Sequence, residues 1–174
     1  MKRRGFTIVE LIITITIMGI LLTLAVVNVA TTQVNARDDS RKSDIESIAT
    51  NLESYYIAGT DSSTVYHTYP SLSLIGNAAN IQTYLRDASI NSFLPPGTTD
   101  VTQTFLGSTN TGNTPAIQTA AGVTPQPTIN TYVYQPIASD GSVCPISSTD
   151  CRKFNLFYYS EGSHTTVKVT SKNQ

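Results

Sequence analysis

Apolar residues are concentrated at the N-terminal end of the chain. Between residues 6 and 30 the sequence has a single charged side chain, Glu10, and residues 11–30 have none. As a helix the uncharged stretch is about 30 Å long, enough to cross the hydrocarbon core of a bilayer. Three basic residues lie within residues 1–5, a bias that keeps this end cytoplasmic. The pattern predicts a membrane-spanning helix.

The helical pattern continues beyond this segment. Residues 33–56 contain neither Gly nor Pro, and Gly59 is a predicted C-terminal stop. One helix over residues 6–58 would be about 80 Å long, with an apolar half (6–30) and an amphipathic half (31–58). The apolar half must lie in lipid or among other copies of the chain. In the amphipathic half one apolar stripe has helical spacing: Ile45, Ile48, Ala49, Leu52, Tyr55 and Tyr56.

Charged residues of both signs cluster on the amphipathic half of the helix. Asp38 has basic partners three and four residues later, Arg41 and Lys42, at a spacing that allows ion pairs on one helix. We favour a solvated helix surface as the interpretation of this cluster. The alternative is a contact between neighbouring copies of the chain. The cluster comprises Arg37, Asp38, Asp39, Arg41, Lys42, Asp44 and Glu46.

The remaining residues, 59–174, predict a globular head. A short helix is predicted over about 78–93, followed by a Thr-rich surface loop over about 97–128 with short strands near 102–106. Alternation predicts strands at 129–134, 154–158 and 165–169. They would form an antiparallel sheet over about 129–170, packed on the helical stripe, with Pro136 limiting the first strand or marking a sheet edge. The predicted fold class is α+β.

Composition narrows the class of protein. Of 174 residues only 13% are charged, and the net charge is −1, which disfavours a strongly basic nucleic-acid-binding protein. One apolar segment followed by a polar remainder excludes both a polytopic membrane protein and a wholly soluble cytosolic one. A membrane segment that carries a modest polar domain remains.

Glu10 is the unusual residue of the apolar segment. An ionised carboxylate inside a bilayer costs roughly 3 kcal/mol or more, and such groups are usually paired. No basic residue lies between Gly5 and Arg37. A candidate partner is the amine created by cleavage between Gly5 and Phe6, donated by a neighbouring copy of the chain. Glu10 would then set the register of an assembly.

The N-terminal residues resemble a known family. Lys2-Arg3-Arg4-Gly5, then Phe6-Thr7-Ile8-Val9-Glu10-Leu11, then the apolar run with Gly19, are similar over residues 2–25 to the class III leader of type IV pilins and pseudopilins. The resemblance implies the same α+β fold, a long helix followed by a variable loop and a small sheet. His67-Thr68-Tyr69-Pro70 resembles, more weakly, the Tyr-Pro element of pseudopilins. Unlike many members, this chain has Val27 in place of a helix-loosening proline.

The resemblance also implies roles and partners. Residues 1–5 would be a leader that ends at Gly5 and is removed by a prepilin peptidase. Phe6 would be the new N-terminus, N-methylated by the same enzyme, and Glu10 the acid used in subunit recruitment. The partners would be the membrane, an assembly platform protein and other copies in a helical homo-oligomeric filament. The precursor would lie in the cytoplasmic membrane and the mature subunit in an extracellular pilus.

Two cysteines, Cys144 and Cys151, lie on the side of the membrane predicted to be oxidising, which predicts a disulfide. No metal site is predicted, since zinc would need further ligands, although calcium at Asp140 and Asp150 stays an open alternative. No cofactor and no catalytic constellation are predicted. Removing the leader leaves 8 basic and 12 acidic residues, which disfavours nucleic acid as a partner.

These observations predict a structural subunit of a type IV pilus-like filament that serves adhesion, twitching motility or DNA uptake. One alternative is a pseudopilin of a type II secretion-like system. A second is a monomeric, single-pass membrane-anchored binding module. An enzyme is not predicted.

Overall fold

The computed structural model describes residues 5–58, 67–75, 78–144 and 150–173. Its first element is one helix, α1 (Ile8–Ala58), of 51 residues. The predicted long helix is therefore confirmed, whereas its predicted stop at Gly59 lies outside the described residues. Shorter helices follow at Leu72–Ile75 (α2), Ala78–Tyr84 (α3) and Val101–Thr104 (α4).

The strands form one four-stranded sheet in the order β1-β2-β3-β4: β1 Phe105–Gly107, β2 Tyr132–Ala138, β3 Cys151–Ser160 and β4 Thr165–Thr170. The pairs β2–β3 and β3–β4 are antiparallel, as predicted. The predicted antiparallel sheet over about 129–170 is therefore confirmed. A further strand, β1, near the short strands predicted at 102–106, pairs parallel to β2 and makes the sheet mixed. The long connection between β1 and β2 makes this possible, since parallel strands need a crossover of a dozen or more residues.

Pro136 lies inside β2 rather than at its end. Its carbonyl accepts the N–H of Cys144 at 2.8 Å, so the backbone of Pro136 faces away from β3. On that side β1 covers only the first three residues of β2. The missing N–H of Pro136 therefore falls where the sheet has a local edge, the second of the two predicted positions.

The helical stripe and one face of the sheet form the core. Ile45, Ile48 and Leu52 of α1 are fully buried against Tyr132, Tyr134, Phe154 and Leu156 of the sheet. This confirms that the sheet packs on the predicted stripe.

The predicted helix over 78–93 differs from the structure. The region consists of α3 and a 3-10 turn at Ile90–Phe93. The Ser89 hydroxyl accepts the N–H of Asn91 at 3.3 Å and so begins a new turn. Such side-chain bonds to the backbone compete with continuous helix.

The Thr-rich segment covers the face of the sheet opposite α1, with Val123 buried against Val133 and Phe157. Gln135 is fully buried, and its amide donates to the carbonyl of Ile117 at 3.0 Å and to Asn110 Oδ1 at 3.2 Å. The interpretation of this segment as a surface loop that contributes little core is therefore incomplete. The head has three layers, since the segment buries the second face of the sheet.

Candidate functional site: the N-terminal helix and its anchorage

The chain enters α1 through a reciprocal pair of hydrogen bonds between Thr7 and Glu10. The Thr7 hydroxyl accepts the N–H of Glu10 at 3.2 Å. Glu10 Oε2 accepts the N–H of Thr7 at 3.3 Å and is 3.2 Å from its hydroxyl. This is a capping box, in which a Thr and a Glu three residues later satisfy free N–H groups at a helix start. The Thr-x-x-Glu spacing was a sequence signal that our interpretation of Glu10 missed.

The capping box gives Glu10 polar contacts but no opposite charge. No ion pair of Glu10 is found among the residues that the structure describes. Gly5 and Phe6 precede the helix, and Phe6 and Glu10 are both exposed. The carboxylate is therefore oriented by its own chain but not neutralised by the described part of it.

The apolar half of α1 has no cover. Every large hydrophobic residue described between Phe6 and Val29 is more than half exposed, from 52% at Ile13 and Ile17 to 81% at Phe6. Within the described residues, α1 is the one helix long and apolar enough to cross a membrane. Leaving such surface in water costs about 25 cal/mol per Å², so it requires lipid or other protein around it.

The amphipathic half is attached to the head by an ion cluster. We define the helix–turn cluster as Arg37, Asp38 and Arg41 of α1 with Glu161 of the β3–β4 turn. Glu161 accepts from the Nη2 atoms of Arg37 and Arg41, each at 2.6 Å. Arg41 Nη1 lies 3.0 Å from Asp38. Burial leaves the Arg41 side chain only 1% exposed.

Asp38 also binds the backbone of the turn. It accepts the N–H groups of Glu161 at 2.9 Å and Gly162 at 2.8 Å, and the Ser160 hydroxyl at 2.7 Å. The interpretation of the charged patch as a solvated surface is therefore wrong for Arg37, Asp38 and Arg41, which hold the head on the helix. The predicted Asp38–Arg41 pair is present.

The contacts of the cluster lower the pKa of both its carboxyl groups. Burial alone would raise the pKa of Asp38, but the N–H groups of the turn, Ser160 and Arg41 outweigh it and lower that pKa. The hydrogen bond from Arg37 lowers the pKa of Glu161 against a smaller effect of burial, with help from Arg41. Asp44 behaves oppositely, because burial raises its pKa despite a hydrogen bond from Tyr132.

We expect the head to lose stability on acidification. A carboxyl group whose pKa is lower in the folded state contributes stability above its ordinary pKa and loses it as the pH falls through the folded value. For Glu161 and Asp38 the loss should begin below their ordinary values of 4.5 and 3.8. Asp44 has the opposite sign and offsets part of the loss. Thermal unfolding between pH 7 and pH 2.5 tests this, and Asp38→Asn with Glu161→Gln should flatten the curve. An unchanged pH dependence in that double variant would contradict the assignment.

A second contact ties the other end of the head to α1. Glu53 accepts from the Tyr69 hydroxyl at 2.8 Å, the Lys172 N–H at 2.7 Å and the Asn173 amide at 2.6 Å. Tyr69, in the Tyr-Pro element, is 2% exposed, and burial raises the pKa of its hydroxyl. The carbonyl of Pro70 accepts from Tyr134 at 2.7 Å. The head is thus fixed to the helix at both ends of β4.

Cys144 and Cys151 form a disulfide, with Cα atoms 5.8 Å apart, and both are buried. The loop between them begins next to β2 and ends at β3. Asp150 is paired with Arg152 at 2.6 Å, and Asp140 accepts the N–H and hydroxyl of Ser142. Among the described residues no group of three or more His, Cys, Asp or Glu could hold a metal ion.

Removing the disulfide should destabilise the head by about 2–3 kcal/mol, because it closes a loop of about eight residues. Urea unfolding of the double variant Cys144→Ala/Cys151→Ala, with the oxidised native chain alongside, measures the loss. A reduced native chain should show a similar loss. A loss below about 0.5 kcal/mol would contradict a stabilising role.

Comparison with known proteins identifies the N-terminal part of the chain. A model described as the prokaryotic N-terminal methylation motif matches residues 1–26. No curated protein and no solved structure is significantly similar to the chain.

The matched residues carry a type IV pilin-like class III leader, and the long helix followed by a small mixed sheet is a pilin-like α+β arrangement. The motif supports a type IV pilin or pseudopilin and points to a structural subunit rather than an enzyme. It implies processing by a prepilin peptidase, and with the apolar helix it supports a membrane-anchored precursor.

Proposed function

We propose that this protein is the structural subunit of a type IV pilus-like extracellular filament, assembled from the membrane after its leader is removed. The observation that carries the proposal is the uncovered apolar half of α1, with one acidic side chain, joined without a break to an anchored head. Adhesion, twitching motility and DNA uptake are the activities such a filament serves.

The assembly follows from the two environments of the apolar half. In the precursor it lies in lipid, where its surface carries no hydration cost. On extraction the same surface must be buried against the apolar halves of other copies. The contacts of Asp38, Arg41 and Glu53 keep the head attached to the helix during this transfer, and the head forms the filament surface.

The leader residues have defined roles in this proposal. A prepilin peptidase cuts after Gly5 and methylates the new amine of Phe6. That amine, on one copy, neutralises Glu10 of another during recruitment by an assembly platform protein. A buried carboxylate without this partner would be strongly unfavourable, so the pair selects correctly docked subunits.

A pseudopilin of a type II secretion-like system is the second candidate. The observation in its favour is the Tyr-Pro element, whose Tyr69 is buried between α1 and the sheet and bonded to Glu53. Visible long surface filaments in the native host at native expression support the pilus subunit. Short, secretion-dependent assemblies support the pseudopilin.

The test is fractionation of cells that express the full chain together with the assembly platform protein, with and without a prepilin peptidase. The proposal predicts sedimentable extracellular filaments only with the peptidase, and uncut chain in the membrane without it. Gly5→Leu in the presence of the peptidase should reproduce the second result. If the wild-type chain stays in the membrane fraction with or without cleavage, it is a monomeric anchored module.

A further inference from the structure

The charged residues of α1 divide into two sets. In the amphipathic half, Arg37, Asp38, Arg41, Asp44 and Glu53 are bound to the head. Asp39, Lys42 and Glu46 are exposed, and their charged groups form no hydrogen bond or ion pair within the described part of the chain. We call this second set the outer stripe. Asp39 and Glu46 lie on the side of α1 away from the buried residues Ile45 and Ile48, whereas Lys42 lies on the flank, about 60° around the helix from Ile45.

The outer stripe lies in line with Glu10. Glu10 and Glu46 are 36 positions apart on one uninterrupted helix, which is about ten whole turns at 3.6 residues per turn. They therefore share one line along the helix surface. Asp39 and Lys42 fall within about 40° of it. A neighbouring helix that covers Glu10 must, if it runs alongside, also cover the outer stripe.

The order of charges along this line repeats. The amine of Phe6 stands four residues before Glu10, and Lys42 stands four residues before Glu46, positive before negative in both cases. We take Phe6 and Thr7 to join the helix once Gly5 is removed, in place of the Thr7–Glu10 cap. Each separation is then about 6 Å along the axis. If two parallel copies are displaced by this distance along their axes, the Phe6 amine of one copy lies level with Glu10 of the other. The same displacement places Lys42 level with Glu46.

Resting on the proposed filament, we infer that the outer stripe is a second register contact between copies, in which Lys42 of one subunit pairs with Glu46 of its neighbour. At the same offset Asp39 faces the hydroxyl of Ser43, so no like charges meet. The occupant of this helix face is a second copy of the chain. The register between the two copies is then set at two levels of α1, by the Phe6 amine with Glu10 near its start and by Lys42 with Glu46 in its second half.

Charge reversal tests the pairing and its register. Lys42→Glu and Glu46→Lys should each lower the yield of sheared filament by roughly fivefold or more, and the exchange variant that combines them should restore most of it. The double variant Lys42→Glu/Asp39→Lys should keep the low filament yield, because residues 42 and 39 of two copies are not level at the proposed displacement. Lys153→Glu, an exposed lysine on β3, is the matched control and should leave the yield unchanged.

Cysteine cross-linking distinguishes a contact between Lys42 of one copy and Glu46 of another from an ion pair between these two residues on the same helix. Cells co-express one tagged chain with Lys42→Cys and one untagged chain with Glu46→Cys, and filaments are oxidised before analysis. The inference predicts tagged–untagged dimers, and far fewer when Asp39→Cys replaces Glu46→Cys. If the wild-type chain forms filaments, but the two cysteine variants give no tagged–untagged dimers and the charge reversals leave the yield unchanged, the inference is overturned and the proposed function stands. Failure of the wild-type chain to form filaments would instead refute the proposed function.

Discussion

Glu10→Gln should reduce filament yield by at least tenfold while the subunit remains folded, inserted and cut after Gly5. A glutamine can still accept the N–H of Thr7, because Gln also serves in a capping box. It cannot supply the negative charge that a neighbouring amine requires. The substitution therefore removes the charge of Glu10 and keeps its structural contact. Sheared filament measured against total cleaved subunit gives the yield.

Thr7→Val is the matched control for this prediction. It removes the hydroxyl that accepts the N–H of Glu10 and keeps the carboxylate. Our account predicts filament yield near that of the wild type, with a loss of helix stability of about 1 kcal/mol at most. The opposite pattern, in which Thr7→Val fails and Glu10→Gln assembles, would mean that Glu10 acts only as a helix cap.

Arg41→Ala should strongly destabilise the head, by about 3 kcal/mol. Arg41 is 1% exposed and bonded to Asp38, Glu161 and the carbonyl of Ile129. Its removal leaves two carboxylates close together without their shared buried partner, and breaking such a cluster costs far more than a surface pair. Urea unfolding of the full chain in detergent measures the effect.

Lys42→Ala provides the comparison for Arg41→Ala. Lys42 is the next residue, has the same charge and is exposed. Its replacement should change the free energy of unfolding by less than about 0.5 kcal/mol. Equal losses in the two variants would show that the cluster does not anchor the helix.

The long helix and the three antiparallel strands were predictable because each has a strong local period. Isoleucines at helical spacing and alternating aromatic residues indicate which face of an element is buried, whichever element packs on it. The Gly5-Phe6 junction and Glu10 were equally accessible, since a lone acid in an apolar run needs a physical reason. None of these required knowledge of distant contacts.

Arg41 was misjudged because charge spacing alone does not reveal which way a side chain faces. One signal was present: Arg41 precedes Ile45 by four residues and so continues the buried stripe of Ile48 and Leu52. An arginine in line with a core stripe requires an acidic partner, here the half-buried Glu161, 120 residues away. No local sequence pattern identifies Glu161 as the partner of Arg41.

The parallel pairing of β1 and the cover formed by the Thr-rich segment were not predictable for a related reason. β1 has only three residues, too few for a period. The segment is held by Gln135, whose polar side chain resembles a solvent-facing strand position in the sequence. Its burial depends on Asn110 and Ile117, which the fold brings from 18 or more residues away.

Intact mass and N-terminal sequencing of sheared extracellular filaments test the central claim most directly. The account predicts a chain that starts at N-methylated Phe6, lacks residues 1–5 and keeps Cys144 and Cys151 in their disulfide. Recovery of the chain only as a lipid-embedded monomer that retains its basic leader, with no filament to shear, would contradict it.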